Sequence, residues 1–170
     1  MISAAQALPS VTLYEYVSVP TEGCAIGPRP VNAVEAAQGK TVVIVGVPGA
    51  FTPTCSEKHL PGFVEKAQEL KKAGVDEIWC VAVNDAFVMG AWGQATGGAP
   101  YIRFMGDGSA EFAQATGLTF DLTAKGLGVR NQRYSMLVRQ GKVDVLFVEA
   151  PGKFEVSDAQ SMLDYVRKGS

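Results

Sequence analysis

A β-branched apolar run, Thr41-Val42-Val43-Ile44-Val45, passes through Gly46-Val47-Pro48-Gly49 directly into a helix start, and this unit constrains the fold most. Successive apolar residues mark a strand buried on both faces, so a layer must cover each side of the sheet it joins. Two overlapping helix-start signals follow. Thr52-Pro53 reads as an N-cap followed by proline at the first helical position, and Thr54-Cys55-Ser56-Glu57 reads as a capping box. Either puts Cys55 in the first turn, where unpaired backbone N–H groups and the positive end of the helix dipole favour an anion. The thiolate is the nucleophilic form of cysteine. The competing reading is an inert thiol packed beneath a helix.

The remaining chain alternates strand and helix. Residues 11–17 read as a strand, 20–30 as a Gly/Pro-rich loop, and a short helix follows Asn32. The helix after Thr52 carries Leu60, Phe63, Val64, Ala67 and Leu70 at helical spacing and stops at Gly74. Residues 75–83 form the next strand, and Asn84-Asp85 caps a helix to about Gln94. Residues 101–105 read as strand and 109–116 as a short helix. Residues 134–139 and 143–148 pair through the turn Gln140-Gly141-Lys142. A last helix has Ser157 as its cap and Ala159, Met162, Leu163 and Val166 on one face. The pattern predicts an α/β fold, a mixed central sheet flanked by helices, in one domain over residues 1–170. Pro61 falls inside the second helix, where it cannot donate a backbone bond. Its kink either isolates residues 53–60 as the piece most easily unwound or merely bends the helix around the core.

Net charge near −2 and the lack of a basic run argue against nucleic acid or an anionic membrane as partner. No apolar run reaches transmembrane length. The first basic residue is Arg29, so neither a secretory nor a transit signal is expected at the start. The expectation is a cytoplasmic protein, or one of an organelle matrix if a targeting segment was removed. Three cysteines, Cys24, Cys55 and Cys80, are too few and too scattered for a disulfide framework, which points to a reducing compartment. With a single histidine they also lack zinc-site spacing.

Pro48-x-x-x-Thr52-x-x-Cys55 has the spacing of the peroxiredoxin active-site motif. The longer string from Gly46 to Cys55, continuing Ser56-x-Lys58-His59-Leu60-Pro61-Gly62-Phe63, resembles the type II, or atypical, subgroup. Val83-Asn84-Asp85-Ala86-Phe87-Val88-Met89 and Gly126-Leu127-Gly128-Val129-Arg130-Asn131-Gln132-Arg133-Tyr134 are similar to that subgroup's later blocks. The resemblance runs from about Leu8 onward. It implies a thioredoxin-like fold and a thiol-dependent peroxidase for hydrogen peroxide and alkyl hydroperoxides, working through a cysteine sulfenic acid without metal, haem or flavin. It further implies a homodimer packed near the active-site loops through Phe51 and Phe87, and recycling by glutathione, glutaredoxin or thioredoxin.

Peroxide reduction at sulfur needs an ionised thiol, donors that hold both oxygens in line, and positive charge at the leaving oxygen. Cys55 supplies the sulfur. Thr52 either places its hydroxyl beside the bound peroxide or only caps the helix. Pro48 is a turn residue that, by resemblance, shields the sulfur from water. The match of Arg133-Tyr134-Ser135-Met136 to the type II pattern implies that Arg133 is the catalytic cation, with Arg130 the second candidate. His59, one turn after Cys55, is either a polar wall of the pocket or a helix-surface residue. Cys80 is either the resolving thiol, as spacing in many type II members implies, or a structural core residue; Cys24 has no counterpart. Two other classes remain open. A cysteine hydrolase would need His59 as its base, and a redox sensor would react with peroxide without turning over.

Overall fold

The computed structural model describes residues 1–17 and 27–169. Strand β3 (Thr41–Gly46) runs parallel to β4 (Glu77–Ala82), and β4 parallel to β5 (Arg103–Gly106). Beyond β3, β8 (Tyr134–Arg139) and β9 (Lys142–Val148) add an antiparallel hairpin. Beyond β5, β1 (Thr12–Tyr16) and β2 (Pro28–Asn32) close the other edge, also antiparallel. The order is β2-β1-β5-β4-β3-β8-β9.

Alternation along the strands feeds two cores. Val43, Val45, Ile78, Cys80 and Ala82 face α2 (Leu60–Lys72), α3 (Ala86–Ala95) and α5 (Ala159–Lys168). Val42, Ile44, Trp79 and Val81 face α1 (Ala33–Ala37) and α4 (Glu111–Thr116). The apolar run through β3 is buried on both sides, as its composition requires.

Local chemistry explains most boundaries. Asn32 and Asp85 accept N–H groups of the helices they precede. Gln140 and Gly141 both have positive φ, as a two-residue hairpin loop demands. Three local expectations need correction. Pro28 and Pro30, read as loop, belong to β2, an edge strand where a missing N–H is tolerated. Asp158, rather than Ser157, caps α5 by accepting the Ser161 N–H. Residues 119–131 contain a separate two-stranded hairpin, β6 (Thr119–Leu122) with β7 (Gly128–Asn131), for which periodicity gave no signal. Cys24 lies outside the described residues.

One close approach positions the site. A Cβ at Gly46 would lie 2.0 Å from the Tyr134 ring. Glycine there leaves room for the fully buried ring at the start of β8, next in the chain to Arg133.

Candidate active site

The strand–turn–helix unit is built from Thr52 rather than Thr54. The Ser56 N–H meets the Thr52 carbonyl at 3.0 Å and closes the first helical turn, with Pro53 as its first residue. Thr54 is already helical and makes no side-chain cap, so the capping box expected with Glu57 does not form. The Thr52 hydroxyl instead donates to the Gly49 carbonyl at 2.7 Å. The Thr54 and Cys55 N–H groups precede the first closed turn.

Cys55–His59 then winds as a π-helical turn, in which the Leu60 N–H reaches the Cys55 carbonyl. Pro61 follows at the start of α2. Lacking an N–H, it cannot extend the regular ladder into the turn before it, and one wider turn absorbs the mismatch. The kink expected at Pro61 is thus a π turn that carries Cys55 itself.

The turn buries Cys55 and His59 together. Arg133, at the mouth of β8, donates from Nη1 to the Cys55 sulfur at 3.4 Å. The same nitrogen lies 3.3 Å from His59 Nδ1. His59 Nε2 lies 3.0 Å from the Ser157 carbonyl, which can only accept, so this nitrogen carries the hydrogen and Nδ1 is left as an acceptor for Arg133. Burial, then the Arg133 charge, push the His59 pKa down to about 4, and the ring is neutral at pH 7. The helix-surface alternative for His59 is therefore overturned: its neighbours are Arg133, Ser157 and the rings of Phe63 and Phe154, centred 5.6 and 5.2 Å away.

Arg130 stands one step back. Its Nε donates to the Leu127 carbonyl at 2.7 Å and its Nη1 lies 3.5 Å from the Pro48 carbonyl, so it braces the turn ahead of Thr52. Cys80 shares the core beneath α2 with Cys55. Burial, reinforced by the neighbouring Cys55, pushes the Cys80 thiol well above its ordinary range. It is held as a neutral thiol.

A cavity of about 360 Å³ opens beside Arg133, between the β6–β7 hairpin and the loop after β9, with Pro48, Thr54, Phe120, Leu127 and Pro151 in its walls. Sequence reasoning brought Pro48, Thr52, Cys55, His59, Arg130 and Arg133 to this region, and the structure gathers them there. It missed Phe154, Ser157 and Glu149. No spacing rule connects them to His59, 98 residues before Ser157; only the acidic end of an apolar strand, at Glu149, offered a hint.

The arrangement combines a buried sulfur, a guanidinium donor aimed at it and an adjoining cavity, all without a histidine nitrogen directed at the thiol. The Redoxin family model matches residues 3–163. Peroxiredoxin-2B of Arabidopsis thaliana is 54% identical over 127 residues, 75% of this chain and 78% of its own length. Reduced Prx3 of Vibrio vulnificus, solved in complex with hydrogen peroxide, superposes with a TM-score of 0.89 at 46% identity, covering 98% of this chain and 99% of that one. A Burkholderia cenocepacia structure named as a thioredoxin reductase gives 0.92 at 55% identity, with 96% and 97% covered. Three blocks of motif, a mixed thioredoxin-like sheet and these relatives converge: the chain belongs to the type II peroxiredoxins, thiol-dependent peroxidases of the thioredoxin-like superfamily.

Proposed function

We propose that Cys55 is the peroxide-reducing nucleophile and that Arg133 is its catalytic partner. The ionised sulfur attacks one peroxide oxygen, forming an S–O bond as the O–O bond breaks. The other oxygen leaves with the electron pair and takes a proton, giving water or an alcohol and a sulfenic acid at Cys55. Sulfur is oxidised by two electrons and the peroxide is reduced by two. The 3.4 Å contact from Arg133 Nη1 to the Cys55 sulfur carries this reading, because it puts a fixed cation where negative charge is held before and during attack. Thr52, whose hydrogen goes to Gly49, offers its oxygen lone pairs to a peroxide O–H. Pro48 walls the approach, and Arg130 holds the turn that carries Pro48. That the similar Vibrio protein was solved with hydrogen peroxide supports a peroxide substrate.

A second thiol then attacks the sulfenic sulfur and releases water, leaving a disulfide. Cys80 can do so only after local unwinding, since both thiols are buried. An external thiol, from glutathione, glutaredoxin or thioredoxin, is the other route, and it suits a reducing compartment such as the cytoplasm or an organelle matrix. Phe51 and Phe87, 58% and 52% exposed, support a homodimer contact near the site. The cysteine hydrolase reading loses its base: His59 presents one nitrogen to Arg133 and the other to a carbonyl.

Peroxide consumption by Cys55→Ser and Cys80→Ser, with mass spectrometry after one equivalent of peroxide, tests the reading. Cys55→Ser is expected to be inactive and Cys80→Ser to complete its first turnover; a fully active Cys55→Ser refutes the proposal. A Cys55–Cys80 disulfide in the treated protein selects internal resolution, and a glutathione adduct selects the external route.

A further inference from the structure

Glu149 directly follows β9, with its backbone N–H paired to the Arg133 carbonyl at 2.9 Å. Its side chain turns into the following loop and gathers four donors on one oxygen. The N–H groups of Glu155, Val156 and Ser157 reach Oε1 at 2.9, 2.8 and 2.7 Å, and the Ser157 hydroxyl at 2.9 Å. Burial alone would raise this carboxyl; those donors outweigh it and hold its pKa below the usual value, so the acceptor is a carboxylate. An anion wrapped by successive backbone N–H groups determines the path of the chain around it.

The loop so determined meets the site through two residues. The Ser157 carbonyl meets His59 Nε2 at 3.0 Å, and the Phe154 ring lies 5.2 Å from the His59 ring and 6.0 Å from the Arg133 guanidinium carbon. We propose that Glu149 is a positioning residue for Arg133: it fixes the Ser157 carbonyl, which sets the His59 tautomer, which in turn directs an Arg133 N–H between His59 and the Cys55 sulfur. The inference rests on the reading of Cys55 and Arg133 as the reacting pair. Without the carboxylate the three N–H groups and the Ser157 hydroxyl lose their common acceptor, and the carbonyl is no longer fixed at Nε2. His59 then adopts either tautomer, and a hydrogen on Nδ1 points at the guanidinium and pushes it away. A displacement of that kind costs on the order of tenfold to a hundredfold in rate.

The test measures the second-order rate constant with hydrogen peroxide and, independently of peroxide, the pH profile of Cys55 alkylation by iodoacetamide. Glu149→Ala is expected to lower the rate at least tenfold and move the alkylation profile to higher pH. Glu149→Gln, which keeps an acceptor at Oε1, is expected to restore most of both. In a His59→Ala background, Glu149→Ala is expected to add no further loss, because the relay is already cut. An unaltered rate and profile in Glu149→Ala overturns the proposal, as does an equal loss in the two backgrounds. Should Glu149→Ala fail to fold, Glu149→Asp, which withdraws the acceptor by one methylene, carries the same comparison. Cys55→Ser run in parallel separates the two claims: its activity would sink the peroxidase assignment of Cys55, whereas indifferent Glu149 variants with a dead Cys55→Ser sink only the positioning role.

Discussion

Arg133 Nη1 is shared between the Cys55 sulfur at 3.4 Å and His59 Nδ1 at 3.3 Å, so one guanidinium nitrogen joins two side chains of the π turn to the mouth of β8. The sharing is possible because His59 is neutral. A protonated ring would set two cations against each other in a buried space, and this is the second cause of its depressed pKa, after burial.

Removing that guanidinium should therefore disable the chemistry more than the fold. Arg133→Met is expected to slow peroxide reduction by about a hundredfold to a thousandfold, the range for loss of one preorganised donor. Arg133→Lys should recover little, since an ammonium lacks the planar fork that faces sulfur and histidine together. Stopped-flow rates with hydrogen peroxide, alongside thermal melts that stay close to the wild-type curve, check this. A fast Arg133→Lys enzyme would show that charge alone suffices.

Acid should weaken the fold through His59. The ring releases its proton at about 4 in the folded protein and near 6.5 when exposed, so the unfolded chain binds more protons between those values. Stability conferred by the neutral ring is complete above about pH 6.5 and is lost as pH falls through 4, by on the order of 3 kcal/mol. Urea denaturation from pH 7.5 to 4 is expected to show a steeper decline for wild type than for His59→Gln. Parallel curves would contradict the assignment.

Gly46 should tolerate no side chain. The Cβ of Gly46→Ala would overlap the Tyr134 ring, and both residues are buried in a close-packed sheet. Overpacking of this kind costs about 1–3 kcal/mol. Denaturant titration should show the loss, and a Tyr134→Leu background, which removes the ring, should relieve part of it.

Trp92 should report on the π turn. Its indole N–H donates to the Ser56 hydroxyl at 3.0 Å, next to Cys55. If oxidised Cys55 leaves its pocket, that bond breaks and tryptophan emission changes with the kinetics of oxidation. Trp92→Phe should abolish most of the change, whereas Trp79→Phe, which faces the opposite core, should retain it.

What the sequence by itself determined was local. The unbroken apolar run of β3 required burial on both faces, and Thr52-Pro53 marked the helix start that carries Cys55. Asn32 and Asp85 declared their helices through cap chemistry that acts within three residues. Even Arg133 was reached through the motif that precedes β8, rather than through any contact with Cys55, 78 residues earlier. The tertiary structure decided the remainder. Whether His59 faced solvent or Arg133 depended on the Ser157 carbonyl, 98 residues away, and the Ser157 hydroxyl went to Glu149 while Asp158 capped α5. Helical spacing cannot settle such matters, because periodicity states which residues share a face but not what the folded chain lays against it. Buried polar groups must find partners wherever the fold brings them, and here those of His59 lie 74 and 98 residues away in the chain.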